Sequence, residues 1–541
     1  MNTKNLIAIA TSLMMCAFAT GAETSDAASL LTPEELKFLG SHDHRSHATG
    51  PLTTGQPASG GGSKVALKRG ITAYATLTDR AWLVMLYKKK LITRDVAAKV
   101  LTALEGKSGS GKPPAKKQAS KTGSQGATFA DNEAMLKKLL GDEDLASVVN
   151  YGRTRQEPMS RLLLRDYQLD AMDALLKALA ATLEVAEAQA ETIMPGCTHM
   201  AHGQPTTYGA YLLAVHDGLV RGLVQLELAY RQTNENTVGC GATSGTGWPV
   251  DRHMVTELLG FDSLMEPTYQ CEGAQDYGLT TLFSLVNVMT VLSRTAMDHA
   301  IWGMEDCGFI TLPGRLLGIS SLMPQKAHPG STFESIRTRA ARVIGHMNAG
   351  VASCNGEPLT DVLPIYEAWT QASVALETAE GTLNGFSDIL RNVIPNKEKM
   401  LQHTRDGFSG APDLAIKLIR EKGYGGRRAH RICAVFVYLA RKKGLKPYET
   451  TGALLDEAAK IANEKPPGLS TEEIREMFDP VKFLERHNNV GDPNPKETRR
   501  LVNVRRAELA ALTERQSQRR AKLEQANQRL SAETAAIIHS K

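Results

Sequence analysis

Apolar residues recur at helical spacing along most of this chain, and strict alternation is almost absent. The pattern predicts helices over Leu77–Glu105, Arg161–Gln189, Tyr208–Gln232, Leu279–Trp302, Thr332–Val351 and Trp369–Leu390. Helices of this length, dominated by Leu, Ala and Val, pack best with neighbours on several sides, so the predicted fold class is all-α with a long central bundle. Residues 70–193 are expected to form an N-terminal helical domain and 194–395 the bundle itself. Beyond Asn396 the periodic stretches shorten and Gly and Pro breaks multiply, which predicts a small helical domain over 396–502. The remainder, 503–541, is rich in Arg, Glu, Gln and Ala and reads as an exposed charged helix or coiled-coil arm.

Two stretches lack periodicity. Residues 41–66 mix His, Gly, Ser, Thr and Pro and belong to a flexible mature N-terminus over 28–69. Their His42, His44 and His47 read as a solvated tail, since nothing nearby would shape a metal site. The segment 106–126, rich in Gly, Ser, Lys and Pro, reads as a surface insertion between helices.

The first residues follow a different logic. Lys4 precedes an apolar run from Leu6 to about Phe18, and small residues follow through Ala22. This describes a secretory signal peptide over 1–27, ending at Ala22 or Ala27, and the run is too short for a spanning helix. Export is therefore expected, with a secreted or periplasmic location and no membrane span. Six cysteines remain after such cleavage: Cys197, Cys240, Cys271, Cys307, Cys354 and Cys433. They form no CxxC pair, which argues against zinc, and their spacing leaves open whether they are free or paired. The net charge of +5 is small for 541 residues and sits in peripheral segments, so no nucleic-acid partner is expected.

Several loops and helix starts carry candidate chemistry. Gly318–Pro329 is a polar loop with adjacent hydroxyls, Ser320 and Ser321, and a single cation, Lys326. Such a loop can close over an anionic substrate and bring a proton acceptor to it. Tyr151–Gln156 offers two guanidinium forks, Arg153 and Arg155, with the Thr154 hydroxyl between them, suited to carboxylates. Met194–Pro205 places Thr198 and His199 in a Pro/Gly-bounded loop before a long helix, whose start favours anions. Glu334 can orient an imidazole such as His199, and Tyr366 and Gln371 open the next helix. Taken singly, each has a plainer reading: a surface arginine, a structural histidine, a carboxylate answering a helix dipole.

Their order along the chain changes this. The loop at Gly318 resembles the GSSxMPxKxNP loop of the fumarase, aspartase and argininosuccinate lyase superfamily. Gly152–Arg155 resembles TGRSRND, and Met194–Pro205 resembles MPGYTHxQxAQP, keeping Thr198, His199, Gln204 and Pro205. Gly239–Arg252 resembles GSGALAGTxxPIDR, and Leu363–Gln371 resembles the LPxxYNxDxQED helix start. The resemblance is to the argininosuccinate lyase branch and covers roughly residues 70–502.

The resemblance implies β-elimination that releases fumarate from an N-substituted aspartate. Ser320 would remove the Cβ proton, made basic by donors in a closed, dry site. Lys326, Thr198 and Arg155 would hold the fumaryl carboxylates, and His199 with Glu334 would assist proton transfer or orient the substrate. Thr154, Gln156, Gln204, Ser321, His328, Tyr366 and Gln371 would make further substrate contacts; the general acid stays open. A homotetramer is implied, with a twenty-helix bundle, sites assembled from three subunits, and no cofactor or catalytic metal.

Departures cluster at the site. Ile319 stands for the glycine before the serine pair, His328 for Asn, Gln156 and Glu157 for Asn-Asp, Glu367 for Asn, and Val374 for a lysine on the amino-acid side. The fumaryl half is retained and the leaving-group half is changed. The expected activity is C–N cleavage of argininosuccinate or an analogue. The alternatives are another leaving group (C–O or C–X) and a lyase-derived binding or structural protein.

Overall fold

The computed structural model describes residues 71–106, 132–154, 159–319, 322–323 and 327–540. The expected leader, the flexible N-terminus, nearly all of the 106–126 insertion, and Arg155, Gln156, Ser320, Ser321 and Lys326 lie outside them.

The described chain opens with α1 (Ile71–Lys88) and α2 (Arg94–Glu105), which pack together. Five long helices then form the bundle: α3 (Met159–Ala188), α4 (Tyr208–Thr233), α5 (Asp276–Trp302), α6 (Gly330–Cys354) and α7 (Glu367–Arg391). Helix α3 packs on α4 and α7, while α5 packs on α4, α6 and α7. Apolar residues ring α3 on nearly every side, and it is buried on nearly every side. Gly222 lets α4 cross α5, because a Cβ there would lie 2.4 Å from Val288 Cγ2. Among the described residues α5 alone is long and apolar enough to cross a membrane; its packing on three helices accounts for that composition.

Between α3 and α4 the chain forms a hairpin, β1 (Ile193–Thr198) against β2 (Ala201–Thr207). A two-residue ladder, β3 (Gly318–Ile319) with β4 (Ala327–His328), precedes α6. The two-residue ladder is too short to show a period, and in the hairpin Pro195, Gly196 and a register shift between Pro195 and Cys197 break the alternation.

After α7 come α8 (Lys397–Asp406), α9 (Ala411–Lys422), α10 (Gly426–Lys442), α11 (Gly452–Ile461), α12 (Thr471–Phe478) and α13 (Pro480–Arg486). They contain a second core around Leu418, Phe436, Leu455 and Phe478. The chain ends in α14 (Pro495–His539). Asn494 caps it by accepting from the Glu497 amide at 2.9 Å, and Pro495 fills the first turn. It thus starts before the expected boundary at 502.

Helix α14 also differs from an exposed arm. It lies along α1, α2, α3 and α4, burying Val502, Leu512, Gln516, Leu530 and Ile537 in one narrow seam. Its cations meet carboxylates of the bundle: Arg505 holds Asp217 at 2.8 and 2.9 Å, and Arg520 reaches Asp173 at 2.6 Å. A seam of one or two apolar residues per turn is masked in sequence by the charge around it.

One end of the bundle is locked by an aromatic cluster of Tyr208, Tyr211, His299, Trp302 and Phe333. The Thr295 carbonyl can only accept, so His299 Nδ1–H donates to it at 2.7 Å. His299 Nε2 then accepts from the Tyr208 hydroxyl at 2.8 Å, which fixes a neutral ring. Burial lowers this histidine to about 4, against opposition from the Thr295 bond and Asp298. The unfolded chain therefore binds more protons between that value and the ordinary 6.5, and stability falls as pH drops through this window. The loss amounts to about 3 kcal/mol at most. His299→Gln is expected to flatten this part of the melting temperature against pH curve; an unchanged slope would show that His299 is not its source.

Candidate active site

The hairpin carries Thr198 and His199 to its tip. Thr198 pairs with Ala201, which leaves His199 and Met200 as a two-residue turn with φ of 53° and 63°. Two left-handed residues in a hairpin turn match the twist of its strands, yet neither is glycine or asparagine. Met200 is 79% exposed, so no packing of its side chain within the chain offsets that conformation. The tip is held from behind. Helix α8 packs on β1, α13 packs on β2, and the His202 and His403 rings lie 6.3 Å apart. Burial, then His403, lowers the His202 pKa, which favours an uncharged ring at this junction. Thr198, His199 and Gln204 all remain exposed. The expected helix start is not beside His199: α4 begins at Tyr208, at the other end of the hairpin, so its dipole does not reach the tip.

The loop expected to carry the base is closed at its root by the β3–β4 ladder. Gly318 pairs with His328 and Ile319 with Ala327. Ile319 is thus extended backbone, which suits a β-branched residue and requires no positive φ. Gly318 serves close approach, because a Cβ there would lie 1.9 Å from Ser331 Oγ. His328 Nδ1 accepts from the Gly330 amide at 3.0 Å. That is the i to i+2 bond an asparagine side chain makes in the same position, so His328 replaces the family's Asn as a turn former. Glu334 follows one turn into α6 and is exposed; the structure gives it no hydrogen bond to His199.

The arginine-bearing turn is corrected in one respect. Arg153 is not a free fork: it forms an ion pair with Asp79 with both side chains buried, and its Nε donates to the Val149 carbonyl at 2.8 Å. Asn132 also donates to Asp79, at 2.7 Å. Gly152 has φ 75°, and a Cβ there would lie 3.0 Å from Trp248, which stacks on Tyr151 at 5.0 Å. This framework sets the position of Thr154.

Tyr366 and Gln371 are engaged already. The Tyr366 hydroxyl donates to Asp361, and burial followed by that carboxylate holds it far above the usual tyrosine range, so it acts as a donor. Gln371 Oε1 accepts from His346 Nδ1 at 2.5 Å, and its Nε2 donates to Glu367 at 3.3 Å. His346 carried no sequence signal. Neither did Glu272, buried beside Tyr366 and Tyr277 and reached by the Cys240 thiol at 3.2 Å.

The chain sorts these residues into two groups. Thr154 precedes α3 and the hairpin follows it, and 30 residues at about 1.5 Å each separate the two ends by roughly 45 Å. Glu334 and the β3–β4 ladder lie at the start of α6, whereas His346 lies twelve residues on, roughly 18 Å away along the axis. Thr198, His199, Gln204, His328 and Glu334 therefore share one end of the bundle. Thr154, Tyr366 and Gln371 share the other.

Residues 81–345 match the Lyase family. The chain is 31% identical over 439 residues to the argininosuccinate lyase of Methanocorpusculum labreanum, covering 79% of this chain and 85% of that protein. It is 28% identical over 461 residues to the argininosuccinate lyase of Methanothrix thermoacetophila, covering 84% and 91%. The crystal structure of EDDS lyase in complex with formate superposes with a TM-score of 0.79 at 26% identity, over 86% of this chain and 92% of that one. Fold, motifs and relatives together define a carbon–nitrogen lyase that releases fumarate. The chain belongs to the argininosuccinate lyase branch of the fumarase/aspartase superfamily.

Because His328 forms the turn through one bond, His328→Ala is expected to cost about 1 kcal/mol. His328→Asn restores the acceptor and is expected to cost less. Denaturant titration of both variants checks this; equal losses would show that the bond to Gly330 is not what His328 supplies.

Proposed function

We propose that this protein is an exported homotetrameric lyase that eliminates an amine or guanidino compound from an N-substituted aspartate. The division of the candidate residues between opposite ends of a bundle roughly 45 Å long carries this reading. One chain cannot bring Thr154 to His199, whereas antiparallel copies can. Exposed apolar residues on the bundle helices supply the surface for such copies: Val224 and Leu228 on α4, Phe283 and Met297 on α5, Ile344 and Val351 on α6. Export rests on Lys4 and the apolar run after it.

In the proposed reaction Ser320 takes the proton from the carbon beside one carboxylate. The electron pair of that C–H bond becomes the new carbon–carbon double bond, the C–N bond breaks, and the nitrogen leaves with a proton. Lys326, Thr198 and Arg155 stabilise the carboxylate that gathers negative charge, and His199, charged or oriented by Glu334, handles the second proton. Tyr366 and Gln371 face the leaving group, where Glu367 and Val374 depart from the argininosuccinate lyase pattern. The likeness to EDDS lyase, named for a different substrate, supports a leaving amine other than arginine.

Ser320→Ala is expected to lower kcat at least a hundredfold, in the usual range for a general base (about 10²–10⁴). Fumarate release, followed by ultraviolet absorbance across a panel of aspartate and malate adducts, identifies the substrate. Unchanged turnover in the variant would remove Ser320 from the reaction. Arg155→Ala and Ser320→Ala chains, each inactive alone, are expected to regain part of the activity when unfolded and refolded together. Failure to regain any, with tetramers formed, would place each site within one chain.

A further inference from the structure

Two of the cysteines that are far apart in sequence meet at the Tyr366 end of the bundle. Cys240 lies in the loop after α4, and Cys271 in the short helix Thr268–Gly273 before α5. They share a small buried cluster with Met265, the Cys240 thiol donating to Glu272 Oε1, the residue next to Cys271, at 3.2 Å and the Cys271 thiol to the Met265 carbonyl at 3.3 Å. Arg252 pins the two segments together. Its Nε donates to the Val238 carbonyl at 2.9 Å, and its Nη2 donates to the Met265 carbonyl at 2.8 Å and to Cys271 Sγ at 3.4 Å. Two further backbone bonds fix the pair, Met265 N–H to Asn236 at 3.0 Å and Gly245 N–H to Cys240 at 2.8 Å.

The other cysteines have no such setting. Burial pushes up the thiols of Cys197, Cys307, Cys354 and Cys433, the last to about 12. Cys271 instead comes down to about 7, through the neighbouring Cys240 thiol and, against the cost of burial, the Arg252 guanidinium. Cys271 is 9% exposed and Cys240 fully buried, so Cys271 is the sulfur that meets a reagent first.

We propose that Cys240 and Cys271 are a redox-sensitive pair that closes reversibly to an intrachain disulfide by exchange with a low-molecular-mass disulfide. The Cys271 thiolate attacks one sulfur of the reagent and releases the first thiolate. The Cys240 thiol then loses its proton and attacks the Cys271 sulfur, forming the Cys240–Cys271 bond and releasing the second. Two protein thiols are oxidised and one reagent disulfide is reduced to two thiols. Closure removes the Cys240 donor from Glu272, a residue only 7% exposed whose charge acts on Tyr366, so the bond reaches the Tyr366 end of the molecule. The bond itself depends neither on the identity of the leaving amine nor on export.

The test uses the full-length protein, incubated folded with oxidised glutathione, then alkylated, denatured and peptide-mapped without reduction. A cross-linked Cys240–Cys271 peptide that disappears after dithiothreitol is the expected result, with Cys354 and Cys433 alkylated only after denaturation. Two alkylated thiols, separate glutathione adducts on Cys240 and Cys271, or a bond from either to another cysteine would each overturn the proposal. Cys240→Ser is expected to trap glutathione on Cys271; absence of that adduct in folded variant protein would remove Cys271 as the attacking sulfur.

Discussion

A 30-residue helix holds its ends roughly 45 Å apart whatever happens at its surface, and α3 is such a helix at the centre of this bundle. The connections between long antiparallel helices can only lie at the two ends. Every polar loop that carries a candidate site residue is therefore committed to one end or the other. The hairpin, the β3–β4 ladder and Glu334 belong to one; the Thr154 turn, Tyr366 and Gln371 belong to the other. Exposed apolar residues lie along α4, α5 and α6 between those ends.

Each end is held by buried polar or aromatic interactions that do no chemistry themselves. The Asp79–Arg153 pair, with Asn132 on the carboxylate, fixes the turn that leads to Arg155. A buried ion pair gains little net stability over an apolar packing, but losing one partner leaves an uncompensated charge. At the far end the Tyr208–His299–Thr295 chain of bonds secures the start of α4 against α5. Helix α14 straps α1 and α2 to α3 through a narrow apolar seam flanked by ion pairs.

The departures from the argininosuccinate lyase pattern divide on physical grounds. Ile319 and His328 keep the local geometry by other means, an extended ladder residue in one case and a ring nitrogen as turn acceptor in the other. Both lie at the root of the loop that bears Ser320. Glu367 instead enters a side-chain network, because it and His346 hold the two ends of the Gln371 amide.

Periodicity and motif order were enough to read an all-α lyase, its long helices, and the segment that carries Thr198 and His199, because helical spacing and short polar loops are local properties. Asn494-Pro495 was a legible start signal for α14, outweighed by the charge that followed it. What the fold alone decided depends on contacts between distant segments. Only packing could turn Arg153 into an anchor for Asp79, bring Cys240 to Cys271 across thirty residues (about 45 Å if helical), or set His346 against Gln371. The hairpin under His199 was likewise a tertiary outcome, since Pro195, Gly196 and Pro205 and a register shift between Pro195 and Cys197 erase its alternation, and α8 and α13 brace it.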